Sequence, residues 1–345
     1  MANTETLAVR YRPHDWDSLI GQDTMKAILQ EQLSTNTFKQ VYLFTGPSGD
    51  GKTTTARIFA NKINHGKGNP IEVDASSHNS VEDVREIIQQ AKTQSLDSEY
   101  KIYILDEVHS FSNNAWQAML KLIEEPPEKT VFIFCTTNPE KIPKTILSRT
   151  QRYDFSRISN KDISTRLAYI LQSELHRDLS ADDDEAIQYL ARIADGGMRT
   201  AISYLDKCLS YNDNLSIETV IKALGIANYD VMFSLFDSLY SKNSTMVIEH
   251  IESLHQSGID LKQFIRSFID FLLDICKYGF TDDFSTLKIP NTYEVELKAY
   301  TDDHFNYATD LLSAVMRINS DIKWDANPKS MIEAELLLFV GRNNE

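Results

Sequence analysis

Cysteine is scarce in this sequence. Only Cys135, Cys208 and Cys276 occur among 345 residues, and they lie far apart along the chain. Without a CxxC pair, the sequence has no spacing typical of a structural zinc site or of thiol exchange. We therefore expect three buried free thiols and no zinc.

Long apolar runs are also missing. The longest, residues 131–135 and 336–340, fall far short of the roughly 18–20 residues that a membrane-spanning helix requires. The first five residues do not resemble a signal peptide, because no basic region precedes an apolar stretch. A hydrophobic content of 42% is enough to fill the cores of two or three domains. We expect a cytoplasmic globular protein with no membrane partner.

Positive charge is in deficit. The net charge is −15, which argues against a protein that coats nucleic acid through bulk positive charge. The acidic excess is larger after residue 200 than before it. Any contact with nucleic acid is therefore expected to be local and to involve the N-terminal part.

The chain up to about residue 158 alternates short β-rich apolar runs with amphipathic helical stretches. This pattern is typical of an α/β domain with a mostly parallel sheet and flanking helices. The predicted strands are Val41–Thr45, Ile71–Asp74 and residues 102–106, 131–136 and 152–155.

Strand signals stop after residue 159, and apolar residues then recur at helical spacing. We predict a helix over residues 162–175, followed by a helix that starts at the acidic run Ser180 to Asp183, which is expected to be a solvated cap and not a metal site. Gly196 and Gly197 interrupt the helical pattern. The predicted domains are an α/β domain over residues 1–158, a small helical lid over 159–224 and an all-helical domain over 225–345.

Residues 46–53 match the phosphate-binding pattern GxxxxGK[ST], between a predicted strand and a predicted helix. Glycines let backbone N–H groups wrap phosphates, Lys52 would neutralise the β and γ oxygens, and the Thr53 hydroxyl would bind Mg²⁺. The motif predicts binding of ATP with Mg²⁺. The residues predicted to bind the nucleotide here are Gly46, Pro47, Ser48, Gly49, Asp50, Gly51, Lys52, Thr53 and Thr54.

Asp50 is an unusual acidic residue for this loop. The sequence leaves two readings open. The side chain either points away from the phosphates, or it lowers the affinity for nucleotide.

The apolar run 102–106 ends in two carboxylates, Asp106 and Glu107. Paired with the phosphate loop, this arrangement indicates hydrolysis of the nucleotide. Asp106 would hold the Mg²⁺ shell, and Glu107 would orient and deprotonate the attacking water. His109 follows closely, but Glu107 already suits that role, so we assign His109 no part in catalysis.

Asp106 to His109, followed by residues 120–127, resembles the gamma and tau subunits of bacterial clamp loaders, which are AAA+ ATPases. The likeness spans nearly the whole chain. Its other segments are Tyr11 to Pro13 with residues 17–22, residues 71–85, residues 136–139, Leu147 to Arg149, Gly197 to Arg199 and residues 324–338.

The resemblance implies further site residues. Tyr11, Arg12 and Ile20 would lie on the adenine side. Thr137 would be the sensor 1 residue. Arg149 would reach the ATP of a neighbouring subunit, although it is also explicable as a solvated surface arginine.

Arg199 would be the sensor 2 residue of the lid, or simply a capping or salt-bridging residue. The same resemblance implies that residues 225–345 form an oligomerising collar.

Two departures from the family pattern stand out. Residues 65–70 form only a short turn where the family usually carries a four-cysteine zinc module, and Thr150 replaces the cysteine after Arg149. The chain also stops after the collar, so we expect it to lack the tau extension. A compact version of this kind would suit a phage or mobile element.

The function implied is that of a motor subunit that opens a sliding clamp and loads it onto primer-template DNA. Its partners would be other loader subunits in a homo- or hetero-oligomer, expected to be a pentamer, together with the clamp and the DNA. Residues 76–80 and 112–114 precede helical stretches and would hold DNA phosphates, or would serve only as N-caps.

Two alternatives stay open. One is another AAA+ ATPase that acts on DNA, in branch migration or recombination. The other is a non-hydrolysing scaffold subunit of a clamp loader, which the intact Lys52, Thr53, Asp106 and Glu107 argue against.

The cysteine pattern gives a first prediction. Treatment with a chelator in the absence of nucleotide should leave the melting temperature of the protein unchanged, because no zinc supports the fold. Elemental analysis of the purified chain provides the control, and a stoichiometric zinc content would contradict the prediction.

Overall fold

The computed structural model describes residues 5–226, 228–322 and 327–342. Residues 324–326 of the predicted C-terminal family segment lie outside them. The chain divides into two compact units. The first contains the described residues up to Ile170 and Ala194–Ser203, and the second contains Leu171–Ile193 and the described residues from Tyr204 onward. The domain boundaries predicted near residues 158 and 224 stay a prediction.

The first unit is built on a five-stranded sheet in which every pair of neighbouring strands is parallel. The strand order is β2-β3-β4-β1-β5. The strands are β1 (Val41–Thr45), β2 (Ile71–Asp74), β3 (Lys101–Asp106), β4 (Thr130–Thr136) and β5 (Gln151–Asp154). The predicted α/β class is confirmed, and the predicted strand ends differ by at most one residue.

Both faces of this sheet are buried, which explains why its central strands are apolar throughout. Successive side chains of a strand point to opposite faces. In β1, Leu43 joins the core on one face, whereas Tyr42 and Phe44 join the core on the other. Helices therefore cover both sides, as is usual for parallel sheets.

Two helices of the first unit precede the first strand, and one further helix follows each of the five strands. Apolar residues of α2 and α3 pack on the face that contains Tyr42, and those of α4, α5 and α6 pack on the face that contains Leu43. The helices are α1 (Leu7–Arg10), α2 (Asp23–Ser34), α3 (Lys52–Ile63), α4 (Val81–Ala91), α5 (Asn113–Glu124), α6 (Lys144–Leu147) and α7 (Asn160–Leu175), of which α7 ends in the second unit.

The described residues of the second unit contain helices and no strand. Longer helices are α8 (Ala181–Ile193), α9 (Met198–Tyr211), α10 (Ile217–Leu224), α11 (Tyr229–Tyr240), α12 (Ser244–Gln256), α13 (Leu261–Thr281), α14 (Glu294–Asp321) and α15 (Pro328–Arg342), of which α9 begins in the first unit. Non-helical backbone angles at His304 break α14.

The prediction of a helical C-terminal region is confirmed. In the described part of the chain, no single helix has the length and apolar character to cross a bilayer. Among the described residues, only the pair α10 and α11, which are bent by 77° relative to each other, has the required length and apolar character when the two are taken together.

The acidic run at the start of α8 was predicted to be a solvated cap, and this prediction is partly wrong. Ser180 caps the helix by accepting a hydrogen bond from the Asp183 N–H, as expected. Asp183 is not solvated, however. It is fully buried and accepts hydrogen bonds from both terminal nitrogens of Arg177, at 2.5 and 3.0 Å. The Arg177 guanidinium lowers the pKa of Asp183 to about 2. The cap by Ser180 could be predicted from the sequence, but the ion pair between Asp183 and Arg177 could not.

A second buried carboxylate fixes the chain after α13. Asp274 is 1% exposed, and its Oδ2 accepts hydrogen bonds from the backbone N–H groups of Lys288 and Ile289, at 2.9 and 2.8 Å. Oδ1 has no hydrogen-bond partner among the described residues. Burial outweighs the two N–H donors and raises the pKa of Asp274 to about 6.

This arrangement predicts a pH-dependent stability. Because the folded pKa of Asp274 lies above the ordinary 3.8, its contribution is favourable at low pH and is lost as the pH rises through about 6. The difference between the folded pKa of about 6 and the ordinary 3.8 corresponds to about 3 kcal/mol. The Asp274→Asn variant keeps an acceptor and cannot ionise. Its melting temperature relative to the wild type should therefore be higher at pH 7.5 than at pH 4.5.

Thermal unfolding of the full chain, followed by circular dichroism at the two pH values, measures this difference. Asp303→Asn is the matched control, since it makes the same charge change in the same unit at an exposed position. A difference between Asp274→Asn and wild type that stays constant with pH would contradict the assignment.

Candidate nucleotide site

The candidate site is a cleft of about 370 Å³ in the first unit. It lies where the carboxyl ends of parallel strands meet, the usual position of ligands in open α/β sheets. The strand register brings these ends together: Thr45 pairs with Thr136, and Asp74 pairs with Asp106.

The cleft is lined by Ala8, Tyr11, Arg12, Pro13, Ser18, Leu19, Ile20, Ser48, Gly49, Asp50, Gly51, Lys52, Thr53, Thr54, Arg57, Asp106, Glu107, Thr137, Ile158, Arg166, Met198, Arg199 and Ile202. Most of the residues predicted to bind nucleotide are therefore brought together. Gly46 and Pro47 do not line the cleft. Their carbonyl groups instead accept hydrogen bonds from the side chain of Lys52.

The phosphate loop joins β1 to α3. Gly51 precedes the first residue of α3 with a left-handed backbone (φ 101°), and this N-cap residue has no side chain with which to cap the helix. The start of α3 therefore offers backbone N–H groups to an anion. Gly46 admits no side chain, because a Cβ there would lie 2.6 Å from the Phe155 carbonyl oxygen.

Lys52 is buried and held inside the loop. Its Nζ donates hydrogen bonds to the carbonyls of Gly46 (2.8 Å) and Pro47 (2.5 Å), and it forms an ion pair of 2.9 Å with Asp50 Oδ1. Asp50 therefore points toward the lysine and does not point away from the loop. Burial raises the pKa of the Asp50 carboxyl, and the Lys52 ammonium opposes that shift.

The oxygen atoms expected to bind Mg²⁺ lie together. Thr53 Oγ1 donates a hydrogen bond to Asp106 Oδ2 at 2.7 Å, so the start of α3 is joined to the end of β3. A hydroxyl and a carboxylate are the hard oxygen donors that Mg²⁺ prefers, and this ion takes its remaining ligands from phosphates and water. The pair fits the ion. No cluster of three or more His, Cys, Asp or Glu side chains suited to a metal occurs among the described residues.

Glu107 is fixed in an uncommon backbone conformation, with φ at 50°. Its Oε2 accepts hydrogen bonds from the Thr137 N–H (3.3 Å) and Oγ1 (3.1 Å). His109 Nδ1 lies 3.2 Å from the same oxygen and 3.1 Å from Thr136 Oγ1. The predicted base and sensor 1 residues are thus in contact. The proximity of His109 was missed, and no sequence signal other than its two-residue spacing from Glu107 pointed to it.

The lining of the cleft is partly apolar. Tyr11, Arg12 and Ile20 line the cleft, and the Tyr11 carbonyl accepts a hydrogen bond from Arg166 at 2.7 Å. Ile158, Met198 and Ile202 also line the cleft and were not predicted to do so. Met198 lies within the family segment Gly197 to Arg199, whereas Ile158 and Ile202 occur outside any recognisable motif. Apolar side chains beside a phosphate loop suit a flat, aromatic base.

Arg199 lines the cleft from the first turn of α9. The phosphate loop approaches this turn closely, since a Cβ on Gly49 would lie 3.5 Å from Arg199 Cβ. The Arg199 side chain is exposed, so it is accessible to a ligand in the cleft.

Arg149 is not among the residues that line this cleft. Its guanidinium forms an ion pair with Glu124 at 2.8 Å and donates a hydrogen bond to the Thr145 carbonyl at 2.8 Å. The side chain is 38% exposed, so the guanidinium is accessible from outside the unit.

The polar stretches before α4 and α5 lie side by side, because the Ser112 N–H donates a hydrogen bond to the Asn79 carbonyl. Ser80 and Ser112 serve as N-caps, accepting from Asp83 and Ala115. Capping therefore accounts for these two serines. The side chains of His78, Asn113 and Asn114 stay exposed beside them.

Two family models match segments of the chain. A model described as DNA polymerase III, delta subunit matches residues 64–159, and a model described as DNA polymerase III subunits gamma and tau domain III matches residues 215–304.

Several curated proteins are similar over most of the chain. DNA polymerase III subunit tau of Bacillus subtilis is 33% identical over 95% of this chain and 62% of its own length. Subunit tau of Escherichia coli is 31% identical over 78% of this chain and 44% of its own length. DNA polymerase III subunit gamma of Buchnera aphidicola is 30% identical over 79% of this chain and 81% of its own length. The chain thus spans less than two thirds of either tau protein.

A solved structure supports the fold. The RuvB Holliday junction branch migration motor of Thermotoga maritima aligns with a TM-score of 0.53 over 66% of this chain and 79% of its own. At 17% sequence identity, this likeness shows a shared fold and no more.

Proposed function

The chain belongs to the family of DNA polymerase III gamma and tau subunits, and from this premise we propose that it is an ATP-hydrolysing motor subunit of a sliding-clamp loader. It opens the clamp and loads it onto primer-template DNA. The observation that carries the proposal is the meeting of Lys52, Thr53, Asp106 and Glu107 in one cleft.

The roles follow from the chemistry of phosphoryl transfer to water. Lys52 and the N–H groups at the start of α3 hold the ATP phosphates, and Thr53 and Asp106 would hold Mg²⁺, which would supply neutralisation of the phosphate charge. Glu107 orients the attacking water and accepts its proton. Thr137, which donates to the Glu107 carboxylate, keeps that group in place as sensor 1. Tyr11, Arg12 and Ile20 contact the adenosine.

Arg199 and Arg149 complete the charge compensation from two different subunits. Arg199 reaches the phosphates of its own cleft as sensor 2. Arg149 serves the cleft of a neighbouring subunit, and its exposure and its absence from its own cleft both support this role. Releasing its ion pair with Glu124 is inexpensive, since half-exposed ion pairs contribute only about 0–1 kcal/mol.

The assembly would be a homo- or hetero-oligomer of loader subunits, a pentamer, in the cytoplasm. The domains are those expected from the sequence, with residues 225–345 as the collar that drives assembly. DNA phosphates are held at the starts of α4 and α5 by exposed polar groups such as Asn113 and Asn114. Contact of this kind follows the backbone without reading base sequence, which suits a loader that acts at any primer.

The two alternatives have less support. Branch migration is favoured by the RuvB likeness alone, and likeness of fold does not transfer function. A scaffold subunit has no use for a complete set of phosphate-binding and water-activating residues.

ATPase measurements test the proposal. ATP hydrolysis should be stimulated by a sliding clamp and primed DNA added together.

Lys52→Ala should weaken nucleotide binding, because a phosphate-facing charge is lost. Glu107→Gln should leave binding nearly intact and suppress turnover, because only the water-activating group is lost. Titration with a fluorescent nucleotide measures binding by each variant and so distinguishes lost binding from lost turnover. Equal loss of binding in both variants would contradict the separate roles, and turnover that ignores clamp and DNA would contradict clamp loading.

A mixing experiment tests Arg149. Arg149→Ala should reduce turnover by a factor on the order of 10³ without weakening binding in its own cleft, because the guanidinium acts on a neighbour. When Arg149→Ala and Glu107→Gln chains exchange within an assembled complex, some interfaces join an intact cleft to an intact arginine. Activity should then partly return.

Glu124→Gln is the matched control, because it removes the ion-pair partner and keeps Arg149. It should stay active. Loss of activity equal to that of Arg149→Ala, or a mixture as inactive as each variant alone, would make Arg149 a structural surface residue.

A further inference from the structure

The phosphate loop contains its own anion. Asp50 lies within the motif and is 2% exposed, so its carboxylate is enclosed by the loop. Oδ1 lies 2.9 Å from Lys52 Nζ and accepts a longer hydrogen bond, of 3.3 Å, from the Lys52 backbone N–H. Both donors belong to the set that a phosphate loop offers to nucleotide phosphates.

These contacts use the full hydrogen-bonding capacity of the lysine. An ammonium group has three N–H donors. In this structure they are directed to the carbonyls of Gly46 and Pro47 and to Asp50. A phosphate can therefore gain a hydrogen bond from Lys52 only by displacing one of these acceptors, and Asp50 is the one that carries a negative charge.

The other carboxylate oxygen is poorly satisfied. Oδ2 is buried and has no hydrogen-bond partner among the described residues. It also fills the space beside Gly46, where a Cβ would lie only 2.2 Å from it. A buried carboxylate needs well-formed partners on both oxygens to offset its loss of hydration. The contact with Lys52 is therefore one that an incoming ligand with better geometry can replace.

We propose that Asp50 is an internal competitor of the nucleotide, whose carboxylate occupies donors of the phosphate loop and lowers the affinity of the cleft for phosphates. This inference rests on the proposed function, since it assumes that the cleft binds ATP. The competition acts on the phosphate end of the ligand. It does not involve the adenosine, which the proposed function assigns to Tyr11, Arg12 and Ile20.

The size of the expected effect on ATP affinity follows from the charge of Asp50. A carboxylate next to Lys52 cancels much of the positive field that draws the triphosphate, and after displacement it repels the phosphates at short range. Replacing Asp50 by Asn keeps the size of the side chain and removes the charge. The dissociation constant for ATP should then fall by about tenfold or more.

The experiment compares wild type, Asp50→Asn, Asp23→Asn and Lys52→Ala in the full chain. Asp23→Asn is the matched control, because it removes the same charge in the same unit at a position that is 88% exposed and outside the cleft. A fluorescent ATP analogue reports binding, and unlabelled ATP, inorganic tripolyphosphate and adenosine are used as competitors. Melting curves without ligand report folding.

Asp50→Asn should bind ATP and tripolyphosphate more tightly than wild type and Asp23→Asn, with adenosine unchanged. Equal or weaker phosphate binding by a folded Asp50→Asn protein would overturn the inference, and so would a gain that extends equally to adenosine. If Asp50→Asn is unfolded, Asp50 is a structural support of the loop and the inference also fails. Absence of ATP binding in wild type and Asp50→Asn alike would instead overturn the proposed function.

Discussion

Burial of the parallel sheet on both faces is the constraint on which the rest of the structure depends. Leu43 and Tyr42 are neighbours in β1 but belong to opposite cores, so a slip of one residue would exchange the two faces. The register is therefore fixed, and with it the alignment of the strand ends. The main groups of the cleft all follow such ends: Lys52 comes after β1, Asp106 closes β3, and Thr137 comes after β4. Packing of the core thus sets the distances in the site.

Features encoded in short stretches of sequence could be predicted. The apolar runs Val41–Thr45 and Ile71–Asp74 gave two strands with their observed ends, and the phosphate loop was recognised because all its groups are contiguous. Contacts between distant segments could not be predicted. His109 lies beside Glu107 only because a left-handed residue and a short turn fold it back toward β4. Asp183 is buried because Arg177, on the preceding loop, meets it from outside the acidic run. The apolar cleft residues Ile158 and Ile202 belong to no motif.

The site also shows why the net charge of a chain is a poor guide to the charge of the ligand that its cleft can accept. A chain of net charge −15 repels a triphosphate at long range, but in physiological salt exposed charges are screened beyond about 8 Å. Inside the cleft, the start of α3, Lys52 and Arg199 present N–H donors or positive charge at short range to any anion that enters.

The three thiols have a practical consequence. Cys135, Cys208 and Cys276 are all buried and free, as expected from the sequence, and burial raises the pKa of each, that of Cys208 to about 12. Only a thiolate reacts quickly with maleimides and iodoacetamides, so the folded chain is nearly inert to these reagents. Cysteines introduced at exposed positions can therefore carry spectroscopic labels on the natural background, and the movements of the nucleotide cleft become measurable without first replacing a core residue such as Cys135.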